Sequence, residues 1–239
     1  MSALTSVYLL FDSGTGVQLA AIDGNTITLR RTVATSALAA SFLARQNAER
    51  LLILGSGRVA RLLSEAYRAV RAIKKLDVWN INPDSAHRMV RSLIDSGIEA
   101  ALVSDLEQGV RSVDIVSAAT LATAPLIRGE WLQPGTHVDL IGAFTPKMRE
   151  ADAESVQRST VFVDTIDALH EAGDLVDPVR DGVFSADLLM GTLTDLCNGK
   201  ACGRTSPDEI TLFKAVGSAL ADLAAATMVY KTPLRSRQR

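Results

Sequence analysis

One glycine-rich hexapeptide constrains the fold of this chain more than any other segment. Gly55-Ser56-Gly57-Arg58-Val59-Ala60 follows a short apolar run at 51–54 and precedes apolar residues at helical spacing. This pattern between a strand and a helix is typical of a turn that binds a dinucleotide pyrophosphate. Gly55 permits the tight turn, Gly57 lets the backbone approach the phosphates, and Ala60 allows close helix–strand packing. A ligand-free tight turn is the alternative interpretation.

Apolar strands alternate with amphipathic helices on both sides of this turn. The predicted strands are 51–54, 76–81, 98–103, 113–117, 138–141 and 161–164. The predicted helices between them span about 59–74, 83–97 and a short stretch from Asp105. This alternation predicts an α/β fold, a Rossmann-type parallel sheet with helices on both faces.

The two chain ends carry different patterns. Residues 7–11 and 17–22 indicate two strands joined by turn formers, hence a hairpin, and an alanine-rich helix follows at 26–44. Near the other end, Ser206-Pro207-Asp208-Glu209 combines a cap, a helix-first proline and a capping box. We expect a helix from there to about residue 230, and a solvated basic tail over 231–239.

Length, charge and cysteine content exclude several classes of protein. A chain of 239 residues corresponds to one large domain or one and a half, and its net charge of −2 gives no argument for nucleic acid or an anionic membrane. No apolar run approaches the ~18 residues that span a bilayer, and the N-terminal residues do not predict a secretory signal. Cys197 and Cys202 suggest neither a disulfide framework nor a metal site, so reduced thiols favour the cytoplasm.

The residues after the glycine turn bear on the choice of dinucleotide. An acidic residue about 20 positions on normally binds the ribose diol, but this chain offers Asn80 and Asn82. A neutral amide does not repel a 2′-phosphate, and Arg58, His87 and Arg88 are nearby cations. The residues therefore favour NADP over NAD. A solvated helix face is the alternative interpretation of His87 and Arg88.

Several motifs in order resemble the ornithine cyclodeaminase/μ-crystallin family from about residue 5 to 230. They are Leu29-Arg30-Arg31-Thr32, the glycine turn, His137-Val138-Asp139-Leu140-Ile141-Gly142-Ala143, Val161-Phe162-Val163-Asp164, Glu171-Ala172-Gly173-Asp174, Gly203-Arg204-Thr205-Ser206 and Ile210-Thr211-Leu212-Phe213-Lys214. The resemblance implies a Rossmann dinucleotide-binding domain at 47–205. It also implies a reduced dimerisation domain from both chain ends, 1–46 and 206–239.

The resemblance also implies roles for individual residues. Arg31 would contact the cofactor and lie by the substrate carboxylate, and Val216 would lie beside the substrate. The implied cofactor-binding residues are Arg31, Gly55, Gly57, Arg58, Val59, Asn80, Thr120, Ile141, Gly142 and Ala143.

The chain departs from the family pattern at several positions. Phe144 stands where cyclodeaminases have a proton-donating aspartate, and a phenyl ring cannot transfer a proton. Met148 replaces a cofactor-contacting lysine, with Lys147 adjacent, and Ala215 replaces a serine. Family members also carry a longer segment before the position of Thr5, with an arginine and a lysine for the substrate carboxylate. We expect either a misassigned start or a truncated paralogue.

Other ionisable residues receive structural interpretations. Asp139, Asp164 and Asp174 are interpreted as caps or turn formers rather than catalytic acids. His137 is interpreted as structural, with acid/base chemistry as the alternative. Lys214 falls inside the predicted last helix, where a solvated or stem-packed lysine is common.

Together these features predict an NAD(P)H-dependent reductase of a small cyclic imine or 2-imino acid, a cytoplasmic homodimer of amino-acid metabolism. The expected partner is a small imine or amino acid, with no nucleic acid, membrane or metal. Two alternatives stay open. One is an ornithine cyclodeaminase that forms proline from ornithine, and the other is a non-catalytic cofactor- or ligand-binding paralogue.

Overall fold

The computed structural model describes residues 6–232, which form ten strands and nine α-helices. In chain order these are β1 (Val7–Phe11), β2 (Gln18–Asp23), α1 (Gly24–Leu43), β3 (Arg50–Leu54), α2 (Ala60–Arg68), β4 (Lys75–Trp79), α3 (Pro83–Asp95), β5 (Glu99–Leu102), α4 (Leu106–Arg111), β6 (Ile115–Ala118), β7 (His137–Leu140), α5 (Ala153–Gln157), β8 (Thr160–Val163), α6 (Ala168–Glu171), α7 (Gly173–Arg180), β9 (Gly191–Thr192), α8 (Leu193–Cys197), β10 (Thr211–Lys214) and α9 (Ala219–Lys231).

Eight of the strands in the described residues form one sheet in the order β5-β4-β3-β6-β7-β10-β8-β9. Every pairing in it is parallel. The strand that precedes the glycine turn, β3, lies between β4 and β6 near the middle of this sheet. The predicted parallel α/β sheet is confirmed.

Alternate residues of β3 explain why helices cover both faces. Leu52 and Leu54 belong to a core cluster that includes residues of α4, α5 and α7. Leu51 and Ile53 belong to a second cluster with residues of α1, α2 and α3. All four side chains are fully buried. A continuous apolar strand buried on both faces is what a doubly covered parallel sheet requires.

The predicted helix from Ser206 to about residue 230 is wrong in its first half. The Glu209 carboxylate accepts hydrogen bonds from the N–H groups of Thr205 (2.6 Å) and Ser206 (3.4 Å), but these capping contacts close a turn and no helix follows. The chain then enters the sheet as β10, between β7 and β8. The helix begins only at α9, where the Ser218 side chain accepts from the N–H of Ala221. A strong local capping signal is thus overridden by strand pairing on both sides.

The helix predicted at 59–74 is also too long, because α2 ends at Arg68. The chain turns there and carries the largely buried Arg71 to the end of α1. The Arg71 guanidinium donates to the carbonyl oxygens of Ala40 and Ala44 at 2.9 and 2.8 Å. It therefore binds carbonyl groups at the C-terminal end of α1, where a helical backbone leaves some carbonyls without partners; the Ala40 carbonyl also accepts the N–H of Ala44.

The two ends of the described chain lie together. The predicted hairpin is confirmed, with β1 and β2 antiparallel and Val7 opposite Asp23. Helix α9 packs against α1 and contacts β1 and β2. Within residues 6–232, none of the helices combines the length and apolar character needed to cross a membrane. The predicted tail lies outside the described residues from 233 onward.

Candidate active site

The carboxyl ends of neighbouring strands bring most of the predicted site residues to one edge of the sheet. The backbone N–H of Gly55, after β3, donates to the carbonyl of Trp79 at the end of β4. The N–H of Ile141, after β7, donates to the carbonyl of Ala118 at the end of β6. Open parallel sheets bind ligands at this edge.

The two glycines of the turn face different surroundings. Gly55 has a φ of +106°, and a Cβ there would lie 2.6 Å from the carbonyl oxygen of Ala119. The fold itself therefore requires glycine at position 55. A Cβ at Gly57 would meet no heavy atom within 4 Å, and helix α2 begins three residues later at Ala60. The open space at Gly57, beside a helix N-terminus, fits a bound pyrophosphate.

Asn80 lies directly after β4 and is fixed against the glycine turn. Its Nδ2 donates to the Ser56 hydroxyl at 2.6 Å, and that hydroxyl donates to the Ser85 hydroxyl at 2.7 Å. Arg58 and Arg88 are exposed. The position expected to meet the ribose therefore carries a neutral amide, with exposed cations on the same part of the fold.

Arg31 and Val216, the two predicted substrate-binding residues, lie close together. Arg31 on α1 donates from Nε to the Asp222 carboxylate of α9 at 2.8 Å. A Cβ at Gly217, the residue after Val216, would lie 2.9 Å from the terminal nitrogens of Arg31. The backbone N–H groups of Val216 and Gly217 both donate to Asp164. The guanidinium is thus held at the carboxyl end of β10.

A cavity of about 580 Å³ opens beside this guanidinium. Its polar lining includes Arg31 and Asp164, while Leu193 of α8 and Ala221 and Met228 of α9 contribute apolar surface. Arg30, which is paired with Glu65 at 3.2 Å, also lines the cavity. Cationic side chains at the edge of an apolar cavity suit a small ligand with one carboxylate and an apolar body.

Two of the departures from the family pattern, Phe144 and Met148, lie in the loop after β7, and a third, Ala215, follows β10. Phe144 is 46% exposed, so the position that would hold a proton donor presents an aromatic ring instead. Met148 is buried, whereas Lys147 is exposed. Ala215 is buried after β10. The loop after β7 therefore exposes an aromatic ring at Phe144, and its lysine, Lys147, lies one residue before the position that the family pattern gives to a lysine.

Glu150 is the site residue that the sequence did not reveal. One of its carboxylate oxygens accepts from the N–H and the hydroxyl of Thr120, both at 2.7 Å, and the other accepts from the N–H of Gly142 at 2.7 Å. It is fully buried, and this burial raises the pKa of its carboxyl to about 7, against the opposing effect of Lys214. Its charged neighbours at 147–152 resemble an ordinary solvated loop, so no sequence signal marked it.

Lys214 and Asp174 lie behind Glu150, and the prediction that places Lys214 in a helix is wrong. Both side chains are fully buried, with Lys214 Nζ 3.1 Å from Asp174 Oδ2. Asp174 Oδ1 accepts from the N–H groups of Glu150 and Ala151. Asp174 thus forms a buried ion pair in addition to the predicted binding of backbone groups.

The prediction that Asp139 is a cap or turn former is wrong, because Asp139 lies within β7 and its side chain is buried. It accepts hydrogen bonds from the hydroxyls of Ser36 (3.1 Å), Tyr67 (2.8 Å) and Ser117 (2.6 Å), and burial raises its pKa. These bonds join α1 and α2 to the sheet. Asp164 agrees with its predicted role, since it binds the turn after β10.

The structural interpretation of His137 agrees with its surroundings. The ring is fully buried, and its Nδ1 lies 3.0 Å from the Thr211 hydroxyl on the neighbouring strand. Burial, together with nearby arginines, lowers its pKa to about 3, so it is neutral at physiological pH. Among residues 6–232, no group of three or more His, Cys, Asp or Glu side chains is arranged to hold a metal ion.

The model of the Ornithine cyclodeaminase/mu-crystallin family matches residues 1–236. This chain belongs to that family. A curated member, Delta(1)-pyrroline-2-carboxylate reductase of Paracoccus denitrificans, is 44% identical over 92% of this chain and 71% of its own length. The predicted family is therefore confirmed.

Two solved structures of family members share the fold. The Delta(1)-pyrroline-2-carboxylate reductase of Thermococcus litoralis, in complex with NADH and L-proline, has a TM-score of 0.90 and 36% identity, over 93% of this chain and 70% of that one. An archaeal alanine dehydrogenase dimer with bound NAD has a TM-score of 0.91 and 30% identity, over 96% and 72%. The first of these structures contains NADH and the second contains NAD.

Proposed function

We propose that this chain reduces a small cyclic 2-imino acid of the Δ1-pyrroline-2-carboxylate class to the corresponding amino acid, using a reduced nicotinamide dinucleotide. The observation that carries the proposal is the convergence at one sheet edge of the open glycine turn, the loops after β6 and β7, and Arg31 beside Val216. The coarser activity, an NAD(P)H-dependent imine or 2-imino acid reductase, agrees with the activity named for the relatives from Paracoccus and Thermococcus.

The residues at the carboxyl edge fit the cofactor. Gly55, Gly57, Arg58 and Val59 would hold the pyrophosphate at the N-terminal end of α2, and Asn80 would meet the ribose. Thr120 and the loop Ile141, Gly142 and Ala143 would flank the nicotinamide ring. When bound, the reduced nicotinamide supplies a hydride to the imine carbon.

Arg31 is the residue that we assign to the substrate carboxylate. Its Nε is bound by Asp222, which orients the guanidinium against Gly217. A charge-assisted contact of this kind contributes about 1.5–3 kcal/mol. Val216 would contact the apolar body of the substrate. Phe144 offers no proton, which suits an imine that arrives already protonated on nitrogen and needs only the hydride.

Within the nicotinamide dinucleotides, we propose that NADPH binds more tightly than NADH. Asn80 brings no negative charge to the ribose, and Arg58 and Arg88 are exposed on the turn and on α3. A guanidinium close to a 2′-phosphate forms a strong charge-assisted contact.

The domain division 1–46, 47–205 and 206–239 and a homodimer are further parts of this proposal. The packing of α9 against α1 and β1 supports a unit built from both chain ends. Exposed apolar side chains on that unit, including Phe11 on β1 and Leu220 on α9, support burial against a second copy. We also retain the cytoplasm as the proposed compartment, in keeping with the free thiols of Cys197 and Cys202.

Two assays on one preparation test the proposed activity. The first follows oxidation of NADPH and NADH with Δ1-pyrroline-2-carboxylate, and the second follows ammonia release from ornithine. We expect imine-dependent oxidation without ammonia release, because Phe144 removes the proton donor that deamination requires. Robust ammonia release would favour the cyclodeaminase. Neither reaction, in a chain that binds the cofactor by calorimetry, would favour a non-catalytic binding protein.

A further inference from the structure

The Glu150 carboxylate joins the two loops assigned to the nicotinamide end of the cofactor. Its Oε1 accepts both donors of Thr120, after β6, and its Oε2 accepts the N–H of Gly142, after β7. The loops are in close contact, since a Cβ at Gly142 would collide with the carbonyl oxygen of Thr120. The carboxylate therefore adds a direct link between the two loops, beyond the pairing of β6 with β7 that ends at Ala118 and Leu140.

Two buried charged residues, Asp174 and Lys214, fix the position of Glu150 on the side away from the two loops. Asp174 accepts the backbone N–H groups of Glu150 and of Ala151, and Lys214 pairs with the other oxygen of Asp174. The charged groups that face Glu150 are thus Lys214 from β10 and Asp174 from α7, and Lys214 favours the ionised carboxylate. A buried charge of this kind is costly unless it is paired and hydrogen-bonded.

We propose that Glu150 is a positioning residue that holds the loops after β6 and β7 at the separation required by the nicotinamide half of the cofactor. It acts through Thr120 and Gly142 rather than by touching the reacting atoms. The inference rests on the proposed function, because it needs the cofactor to bind at this edge. The adenosine half lies at the glycine turn and Asn80, which Glu150 does not contact by any hydrogen bond of the described residues.

Glu150→Gln tests this role with little change in shape. An amide has one acceptor oxygen and one NH₂ donor, whereas the carboxylate accepts from both loops. In the variant, the NH₂ group would face the backbone N–H of either Thr120 or Gly142, and two donors cannot form a hydrogen bond. One of the two loops would therefore lose its hydrogen bond to residue 150. Glu154→Gln is the matched control, because Glu154 is half-exposed on α5 and only 3.8 Å from Arg158 in a surface ion pair.

The readout is a comparison of two ligands by calorimetry. NADH needs both halves of the site, whereas ADP-ribose needs only the glycine-turn half. We expect Glu150→Gln to weaken NADH binding at least about tenfold. ADP-ribose affinity should stay unchanged, and Glu154→Gln should change neither. Equal losses for both ligands, or no loss for NADH, would overturn the positioning role. If the wild-type chain binds neither ligand, the proposed function fails instead.

The pH dependence of the wild-type chain gives a second test that needs no variant. Burial raises the pKa of Glu150 to about 7, so the carboxyl gains a proton as the pH falls through that value and loses acceptor capacity. NADH affinity should fall below about pH 7, while ADP-ribose affinity stays level. In Glu150→Gln the NADH profile should be flat. A wild-type NADH affinity that is independent of pH across this interval would contradict the inference.

Discussion

Gly55 and Gly57 lie two residues apart, but the fold requires glycine only at position 55. A side chain at Gly57 would enter open space, whereas one at Gly55 would meet the Ala119 carbonyl and a positive φ. We expect Gly57→Ala to leave the free energy of unfolding within about 1 kcal/mol of wild type. Cofactor should nevertheless bind about tenfold more weakly, because a methyl group would occupy the approach of the phosphates.

Gly55→Ala serves as the comparison, because it should lower the free energy of unfolding, which Gly57→Ala leaves nearly unchanged. The strained backbone costs about 1–3 kcal/mol, and the contact with Ala119 adds to it. Urea unfolding and calorimetric titration with NADH measure the two effects separately. A stable Gly57→Ala variant with unchanged cofactor affinity would show that the turn does not hold a pyrophosphate.

Asn80 is the residue on which the cofactor preference depends. A carboxylate at this position would accept hydrogen bonds from a ribose diol and repel a 2′-phosphate. Asn80→Asp should therefore shift the ratio of NADPH to NADH affinity at least about tenfold towards NADH. Asn47→Asp, an exposed change between α1 and β3, should leave the ratio as it is. An unaltered ratio in Asn80→Asp would place the ribose elsewhere.

Residues whose role follows from local geometry were predictable from the sequence, and those whose role follows from distant partners were not. The pattern of the turn at Gly55 and Gly57 lies within six consecutive residues, although Gly55 also contacts the Ala119 carbonyl. Glu150 instead depends on Thr120 and Gly142, which come from two other segments. A glutamate in a charged run gives no indication of burial, so only the folded chain reveals it.

Strand β10 is the element that most affects the site. It lies between β7 and β8, and its last residues lead into the turn at Val216 and Gly217 beside Arg31. The sequence predicts a helix here because a cap, a proline and an acidic residue occur in favourable order. Strand β10 has only four residues and one of them is a lysine, so its alternation of apolar and polar side chains is too weak to outweigh the helix signal.

The buried lysine of β10 should contribute strongly to stability. Lys214→Met leaves the buried carboxylate of Asp174 without its counter-charge. Removing one partner of such a pair typically costs about 3–5 kcal/mol. The exposed change Lys200→Met should cost less than about 0.5 kcal/mol. Urea unfolding of both variants gives the comparison, and equal stability would mean that the Lys214–Asp174 contact contributes nothing.

At the scale of the whole molecule, the predicted alternation of strands and helices is confirmed for β3 to β8, whose predicted positions rest on short apolar runs. The order of the strands depends on pairings across the chain, so the insertion of β10 could not be predicted from local pattern. The same sheet brings the glycine turn, Asn80, Thr120 and the loop after β7 to one edge. Arg31 and Val216 meet beside that edge only because α1 and β10 pack together.

The central claim is that this edge directs a hydride from the nicotinamide to an imine carbon. The most direct measurement uses NADH that carries deuterium at both C4 positions, together with unlabelled Δ1-pyrroline-2-carboxylate and the intact chain. Mass spectrometry of the product should find proline with one deuterium on its α-carbon, in an amount equal to the NADH oxidised. Proline without deuterium, or no proline while NADH binds, would contradict the account.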